Sequence, residues 1–231
     1  TGRRDRFDTL RQKDGLSGFP KMEESPYDAF NTGHATTSIS AAYGIAKARD
    51  VLGKTYEVVA VIGDGSMTGG MAYEALNDAA ESGEPMVVIL NDNALSIDRN
   101  VGGLARHLSK LRTKEKYLGM KQRYRRFMSH IPGGKAVFRF TSNLKNRLRQ
   151  MLIPSTIFEN MGFTYLGPVD GHDTERLISL LRSAKSMHRP VLLHVLTQKG
   201  KGYAPAQEHP KLFHGIGKFA PSTGEPAKKS G

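Results

Sequence analysis

The stretch Glu57-Val58-Val59-Ala60-Val61-Ile62-Gly63-Asp64-Gly65-Ser66 decides the fold. From Val58 to Ile62 it is apolar at every position and mostly β-branched, a run too short for an ordinary helix. Such a run has no wet face, so it reads as a strand of a parallel sheet covered on both sides. The two glycines around Asp64 then turn the chain and let backbone N–H groups approach a phosphate. A helix expected from about Thr68 would offer its positive end to the same anion.

Working outward, Met86-Val87-Val88-Ile89-Leu90, Phe163-Thr164-Tyr165-Leu166 and Val191-Leu192-Leu193-His194-Val195-Leu196 are runs of the same kind. Helix-length stretches separate them. Residues 36–50 carry Ile39, Ala42, Tyr43 and Ala46 on one stripe, 68–82 carry Met71, Ala75 and Ala79, and 173–187 carry Leu177, Leu180, Leu181 and Ala184 behind Asp173 as N-cap. Strand alternating with helix predicts an α/β fold, a doubly wound and mostly parallel sheet. Residues 1–33 read as loop, with Gly15, Gly18, Pro20 and Pro26. From Gly200 onward Pro205, Pro210, Pro221 and Pro226 predict an extended surface stretch that frays after about Gly224.

In an open α/β sheet ligands bind beyond the carboxyl ends of the strands. The second run ends there in Asn91-Asp92-Asn93-Ala94-Leu95, and 27 residues separate Gly65 from Asn93, room for one helix and one returning strand. Asp64 and Asn93 are therefore expected on neighbouring strand ends. Together they supply one carboxylate and one amide oxygen, and the Leu95 carbonyl can add a third. Mg²⁺ takes six oxygens, few of them carboxylate, and fills its shell with phosphate and water, so the pattern reads as a Mg²⁺-diphosphate site. Alone, a Gly-Asp-Gly is commonly a turn and an Asn-Asp-Asn a loop; the pairing carries the reading.

The 231 residues include no Cys and no Trp, and 38% are hydrophobic. That composition supports a globular core and excludes a disulfide scaffold, thiolate metal sites and a cysteine nucleophile. No apolar run approaches the roughly 18 residues of a membrane span, and the first residues are no signal peptide. A soluble, cytoplasmic protein is expected. Because the chain opens on Thr1 in mid-pattern, it also reads as a fragment or a processed chain.

The net charge of +12 is concentrated. Residues 101–150 hold 14 Lys and Arg against the single acid Glu115, which leaves the rest of the chain at −1. The expected organisation is one domain over residues 1–224 with a basic, mobile insert at about 100–152, followed by a disordered tail, 225–231. Tyr117, Tyr124 and Phe127 interleave with Lys121, Arg123, Arg125 and Arg126, which suits nucleic acid or another polyanion. Leu104, Leu108, Leu111 and Leu118 at near-helical spacing favour a solvated amphipathic helix instead, with no nucleic acid as partner.

Gly63-Asp64-Gly65 followed by Asn91-Asp92-Asn93 resembles the thiamine diphosphate motif, and the surrounding text is similar to the 1-deoxy-D-xylulose 5-phosphate synthase family. The similarity includes Thr1-Gly2-Arg3-Arg4-Asp5, Gly15-Leu16-Ser17-Gly18-Phe19, Gly33-His34-Ala35-Thr36-Thr37-Ser38-Ile39-Ser40, Gly167-Pro168-Val169-Asp170-Gly171-His172 and Lys199-Gly200-Lys201-Gly202-Tyr203. It covers nearly everything except residues about 100–152. Transketolase shares the motif and the Asp-Gly-His-Asp turn but not the text from His34 to Ser40.

This resemblance implies Mg²⁺ on Asp64, Asn93 and the Leu95 carbonyl, where the family more often has Met, and thiamine diphosphate touched by Gly65 and Ser66. It implies cofactor contacts from Gly33, His34, Ala35, Asn93, Lys199 and Tyr203, with Ala35 standing where Ser is usual. It casts His34 and His214 as catalytic. Asp170 and His172 sit in the family turn but read as a helix cap, and His107, His130, His188, His194 and His209 stay unassigned. The implied reaction joins pyruvate to D-glyceraldehyde 3-phosphate with loss of CO₂. It also implies a homodimer whose pyrimidine-binding and C-terminal domains, and a segment before Thr1, lie outside these residues. The competing expectation is a subunit of another thiamine diphosphate-dependent enzyme.

Overall fold

A computed structural model describes residues 2–93, 103–111 and 156–226. Four strands, β1 (Val59–Gly63), β2 (Val87–Asp92), β3 (Thr164–Asp170) and β4 (Val191–Leu196), form one parallel sheet in the order β1-β2-β4-β3. The helices are α1 (Ser38–Val51), α2 (Gly70–Ser82), α3 (residues 103–111), α4 (Ile157–Met161), α5 (Thr174–Ser186) and α6 (Ala204–Glu208). No helix among the described residues is long and apolar enough to cross a membrane.

Successive strand residues point to opposite faces of the sheet. Ala60, Ile62, Val88, Leu90 and Leu192 meet Ile39 and Ala46 of α1 and Ala72, Leu76 and Ala79 of α2 on one face. Val87, Val191, Leu193 and Val195 lie under Leu177, Leu180, Leu181 and Ala184 of α5 on the other. Helices cover both faces, as a doubly wound sheet requires. Asp173 caps α5 as expected, its Oδ1 accepting the Arg176 N–H at 3.0 Å. Thr156 and Glu159 exchange side-chain-to-backbone hydrogen bonds at the start of α4, the reciprocal pattern of a capping box.

Four expectations need correction. The first strand is not covered on both sides: Val59 and Val61 are 48% and 60% exposed. The reason is position, since among the described residues β1 is the edge strand and the cluster under α5 draws on β2, β3 and β4. Met71 leaves the expected buried stripe of its helix and is exposed, because the first turn of α2 overlooks a cleft rather than the sheet. The start of the basic insert is not a solvated helix throughout. Leu108 and Leu111 of α3 are buried in the same core cluster as Ile39, Leu76, Leu90 and Phe158, a placement that stabilises by about 1.5–3 kcal/mol per side chain. The remainder of the insert, from residue 112, falls outside the described residues.

The stretch after Gly200 is folded rather than extended. Tyr203, Phe213 and Phe219 pack edge-on or tilted against one another with centroids 5.3–6.0 Å apart. Phe219 bridges Pro226, and the Ala220 N–H donates to the Glu225 carbonyl at 2.9 Å. The last five residues of the expected tail lie outside the described residues.

Two charged staples complete the frame. Arg3 grips Asp28 with both terminal nitrogens, at 2.6 and 3.0 Å, and closes the N-terminal loops. That grip, helped by the Lys21 N–H, holds the Asp28 carboxyl below the usual aspartate range and raises the Arg3 guanidinium. Glu84 receives Lys47 at 2.6 Å and the buried Arg49 at 3.4 Å, which ties the end of α1 to the chain entering β2. Arg49 also donates to the Pro85 carbonyl at 3.0 Å.

Candidate functional site

The strand order sets the site. β1 and β2 are neighbours in parallel register, Gly63 opposite Asn91, so the residues that follow each strand emerge side by side. The Asp64 N–H donates to the Asn91 carbonyl at 3.1 Å, and Asp64 is buried to 2% exposure. Asn93 stands one residue past the end of β2 and is half-buried. The two residues paired by spacing are thus brought to one edge of the sheet. Leu95 lies outside the described residues.

Beyond Asp64 the chain makes a 3-10 turn, Ser66–Thr68, before α2 begins at Gly70, two residues later than the sequence suggests. The turn closes through carbonyls: Thr68 donates to Gly65 and the Gly69 N–H to Ser66. Gly65 and Ser66 therefore sit between the strand end and the positive end of a thirteen-residue helix.

The Gly33-His34-Ala35 turn is brought to the same helix end. Thr36 has a left-handed φ of +75°, a conformation that costs a β-branched residue of order 1–3 kcal/mol. Its methyl group packs where a Cβ on Gly69 would come within 2.3 Å, so only glycine at 69 permits this approach. Gly33, His34 and Ala35 line an open cleft of about 670 Å³ together with Phe19, Phe30 and Met71. His34 is exposed, and its carbonyl accepts the Thr32 and Thr37 hydroxyls at 3.3 Å each.

Lys199 follows β4 and so belongs to the same sheet edge; its Nζ contacts His214 Nδ1. Two residues expected at the site from separate parts of the C-terminal stretch are thereby a pair. Tyr203 gives its hydroxyl to the Pro221 carbonyl at 2.9 Å and its ring to the aromatic cluster. Asp170 and His172 make a turn and not the expected helix cap, which Asp173 supplies. The Asp170 carboxylate accepts the His172 N–H, and His172 Nε2 accepts the Gln198 N–H, both at 2.8 Å, which joins the β3–α5 turn to the chain leaving β4.

One constellation has no counterpart in the sequence reading. Behind the Asn91-Asp92-Asn93 segment, His194 Nε2 is 2.9 Å from Asp92 Oδ2 and His194 Nδ1 is 2.8 Å from the Tyr165 hydroxyl. His194 is 0% and Asp92 1% exposed. A histidine in the middle of an apolar strand is the signal that could have found it, because a buried imidazole demands partners.

The donor set fits a hard divalent cation that brings its own phosphate ligand. Among the described residues no group of three or more His, Cys, Asp or Glu side chains is placed to hold a metal, so an all-protein cage is absent there. One buried carboxylate beside one amide is what Mg²⁺ uses when phosphate oxygens complete its shell.

Comparison with known proteins shows the family and the fold. The sequence profile of 1-deoxy-D-xylulose-5-phosphate synthase matches residues 1–197. Among curated relatives, the 1-deoxy-D-xylulose-5-phosphate synthase of Syntrophomonas wolfei is 51% identical over 231 residues, and that of Pelotomaculum thermopropionicum 52% identical over 230. Each match covers 100% of this chain but 36% of the relative, so the chain spans about a third of their length. Among solved structures, the transketolase of Leishmania mexicana aligns with a TM-score of 0.55 at 19% identity, over 84% of this chain and 24% of that one. The fold is transketolase-like, and the chain belongs to the 1-deoxy-D-xylulose-5-phosphate synthase family.

Proposed function

We propose that this chain is the diphosphate-binding part of an enzyme that condenses pyruvate with D-glyceraldehyde 3-phosphate, releases CO₂ and yields 1-deoxy-D-xylulose 5-phosphate, a precursor for isoprenoids. The observation that carries the reading is the meeting of Asp64 and the Asn91–Asn93 segment on adjacent strand ends, in a chain about half identical throughout to synthases of that name.

On this reading Asp64, Asn93 and the Leu95 carbonyl hold Mg²⁺, and the backbone at Gly65 and Ser66 faces the diphosphate. Thiamine diphosphate, when bound, supplies the carbanion chemistry. The chain's own residues bind and orient: Gly33, His34 and Ala35 wall the cleft on the side of α2, and Lys199 and Tyr203 approach from beyond β4. His34 is exposed on the cleft wall, and His214, held by Lys199, is the second histidine available for proton transfer to substrate. The carboxylate that serves the pyrimidine half of such a cofactor is assigned to a further domain. A homodimer and a cytoplasmic location belong to the same reading; the lack of Cys fits a reducing compartment.

The test mixes pyruvate, glyceraldehyde 3-phosphate, Mg²⁺ and thiamine diphosphate with the complete polypeptide or with residues 1–231, and follows CO₂ and product. Turnover is expected from the complete polypeptide and none from residues 1–231 alone. A folded, cofactor-loaded complete polypeptide that makes no deoxyxylulose phosphate overturns the substrate assignment. Turnover by residues 1–231 overturns the need for a second domain.

A further inference from the structure

The sheet carries a polar chain where an apolar one would pack equally well. β4 reads Val191, Leu192, Leu193, His194, Val195, Leu196, and every residue from Val191 to Val195 is buried. Placing an imidazole at its centre costs desolvation unless both ring nitrogens are satisfied. They are: Tyr165 of β3 meets Nδ1 and Asp92 of β2 meets Nε2. A hydrogen on Nε2 and none on Nδ1 lets His194 donate to the carboxylate while the Tyr165 hydroxyl donates to the ring, so each partner is used in the sense its chemistry allows.

The chain ends beside the metal-ligand segment. Asp92 is the last residue of β2, directly before Asn93. Three further hydrogen bonds hold Asn91 and Asp92, the last two residues of β2. The Thr197 N–H donates to the Asp92 carbonyl at 3.0 Å, the Thr197 hydroxyl donates to Asn91 Oδ1 at 2.7 Å, and the Asp64 N–H donates to the Asn91 carbonyl at 3.1 Å. The end of β2 is therefore clamped from β1 on one side and from β4 on the other. The Tyr165–His194–Asp92 arm reaches it through the core, on the face that also carries Leu90 and Leu192.

We propose that Tyr165, His194 and Asp92 form a buried positioning relay that fixes the end of β2 and so presents Asn93 to a divalent cation shared with Asp64. The inference rests on the Mg²⁺-diphosphate reading of Asp64 and Asn93. None of the three residues touches the reacting atoms; they act through Asn93, as outer partners of metal ligands commonly do, where loss of one weakens binding about 10–100-fold.

The test uses the complete polypeptide and two readouts, the Kd for Mg²⁺ measured calorimetrically with saturating thiamine diphosphate, and amide exchange at Asp92 and Asn93 without ligand. His194→Leu keeps the volume but removes both hydrogen bonds, and should raise Kd at least tenfold and speed exchange at the two amides by a similar factor. His194→Gln keeps a donor towards Asp92 and should rescue Kd to within about threefold of wild type. Leu180→Ala, which thins the opposite face under α5, should lower stability without moving Kd, so a general loss of stability is told apart. If His194→Leu does not fold, Tyr165→Phe stands in, with Kd raised about threefold and faster exchange at Asp92 expected. Unchanged Kd and exchange in a folded His194→Leu or Tyr165→Phe protein overturns the relay, as does a Gln variant as impaired as the Leu variant. A wild-type protein that binds no Mg²⁺ with thiamine diphosphate overturns the site reading instead, while the exchange measurement still decides whether the relay holds the strand end.

Discussion

Gly167 lies against the backbone of His194 so closely that a Cβ on it would sit 2.5 Å from the His194 carbonyl oxygen. Gly167 also has φ +124°, a conformation that side chains resist. β3 shifts register between Leu166 and Val169, and the glycine is what lets the shifted strand stay paired with β4.

Gly167→Ala should therefore cost stability twice, through strain and through displacement of β4, by about 3 kcal/mol or more. Urea denaturation checks this. A loss below about 1 kcal/mol would show that the strand end moves aside freely.

Leu108→Ala tests the packing of α3. A side chain buried to 1% exposure in the main core should cost about 2–5 kcal/mol on truncation, against less than 0.5 kcal/mol for one on a solvated helix. The same denaturation experiment reads the difference.

Asp64→Ala should abolish Mg²⁺-dependent binding of thiamine diphosphate, because Asp64 is the one carboxylate in the proposed ligand set, the other carboxylate of the paired motifs, Asp92, being turned to His194. Calorimetry on the complete polypeptide measures it; unchanged affinity would place the metal elsewhere.

The Arg3–Asp28 staple gives a pH signature. The folded carboxyl titrates below its ordinary value of about 3.9, so its contribution to stability is complete above that value and disappears as pH falls through the lowered one. Asp28→Asn should lower Tm at pH 7, and the gap to wild type should close on acidification below the usual aspartate range. A gap that persists there would assign the effect to packing.

The two motifs that build the candidate site were legible because each stands at the end of an apolar run, where chain direction and spacing alone place Asp64 and Asn93 on one edge. The buried histidine was not. His194 finds Asp92 at a separation of 102 residues and Tyr165 at 29, and nothing in local periodicity links them; only the register of β2, β4 and β3 does. The exposed outer face of β1 was hidden for a related reason. Val59 and Val61 read as core by composition, whereas their exposure depends on which strand ends at the sheet edge. Met71 shows the same limit within a helix, where the apolar stripe identifies a face but not how far along that face the sheet extends.

The order β1-β2-β4-β3 has a kinetic consequence. Asn91 is bonded to Asp64 across one helical crossover but to Thr197 across 106 residues, so the two sides of the clamp close loops of very different length. Local contacts form before distant ones because loop closure costs entropy in proportion to the logarithm of loop length. A nascent chain that has released β1, α2 and β2 can already set Asp64 beside Asn91, yet the end of β2 is held from one side only until β4 has been synthesised and inserted. The proposed ion site would therefore be completed late, on the arrival of β4, although Asp64 and Asn93 both lie in the first half of these residues.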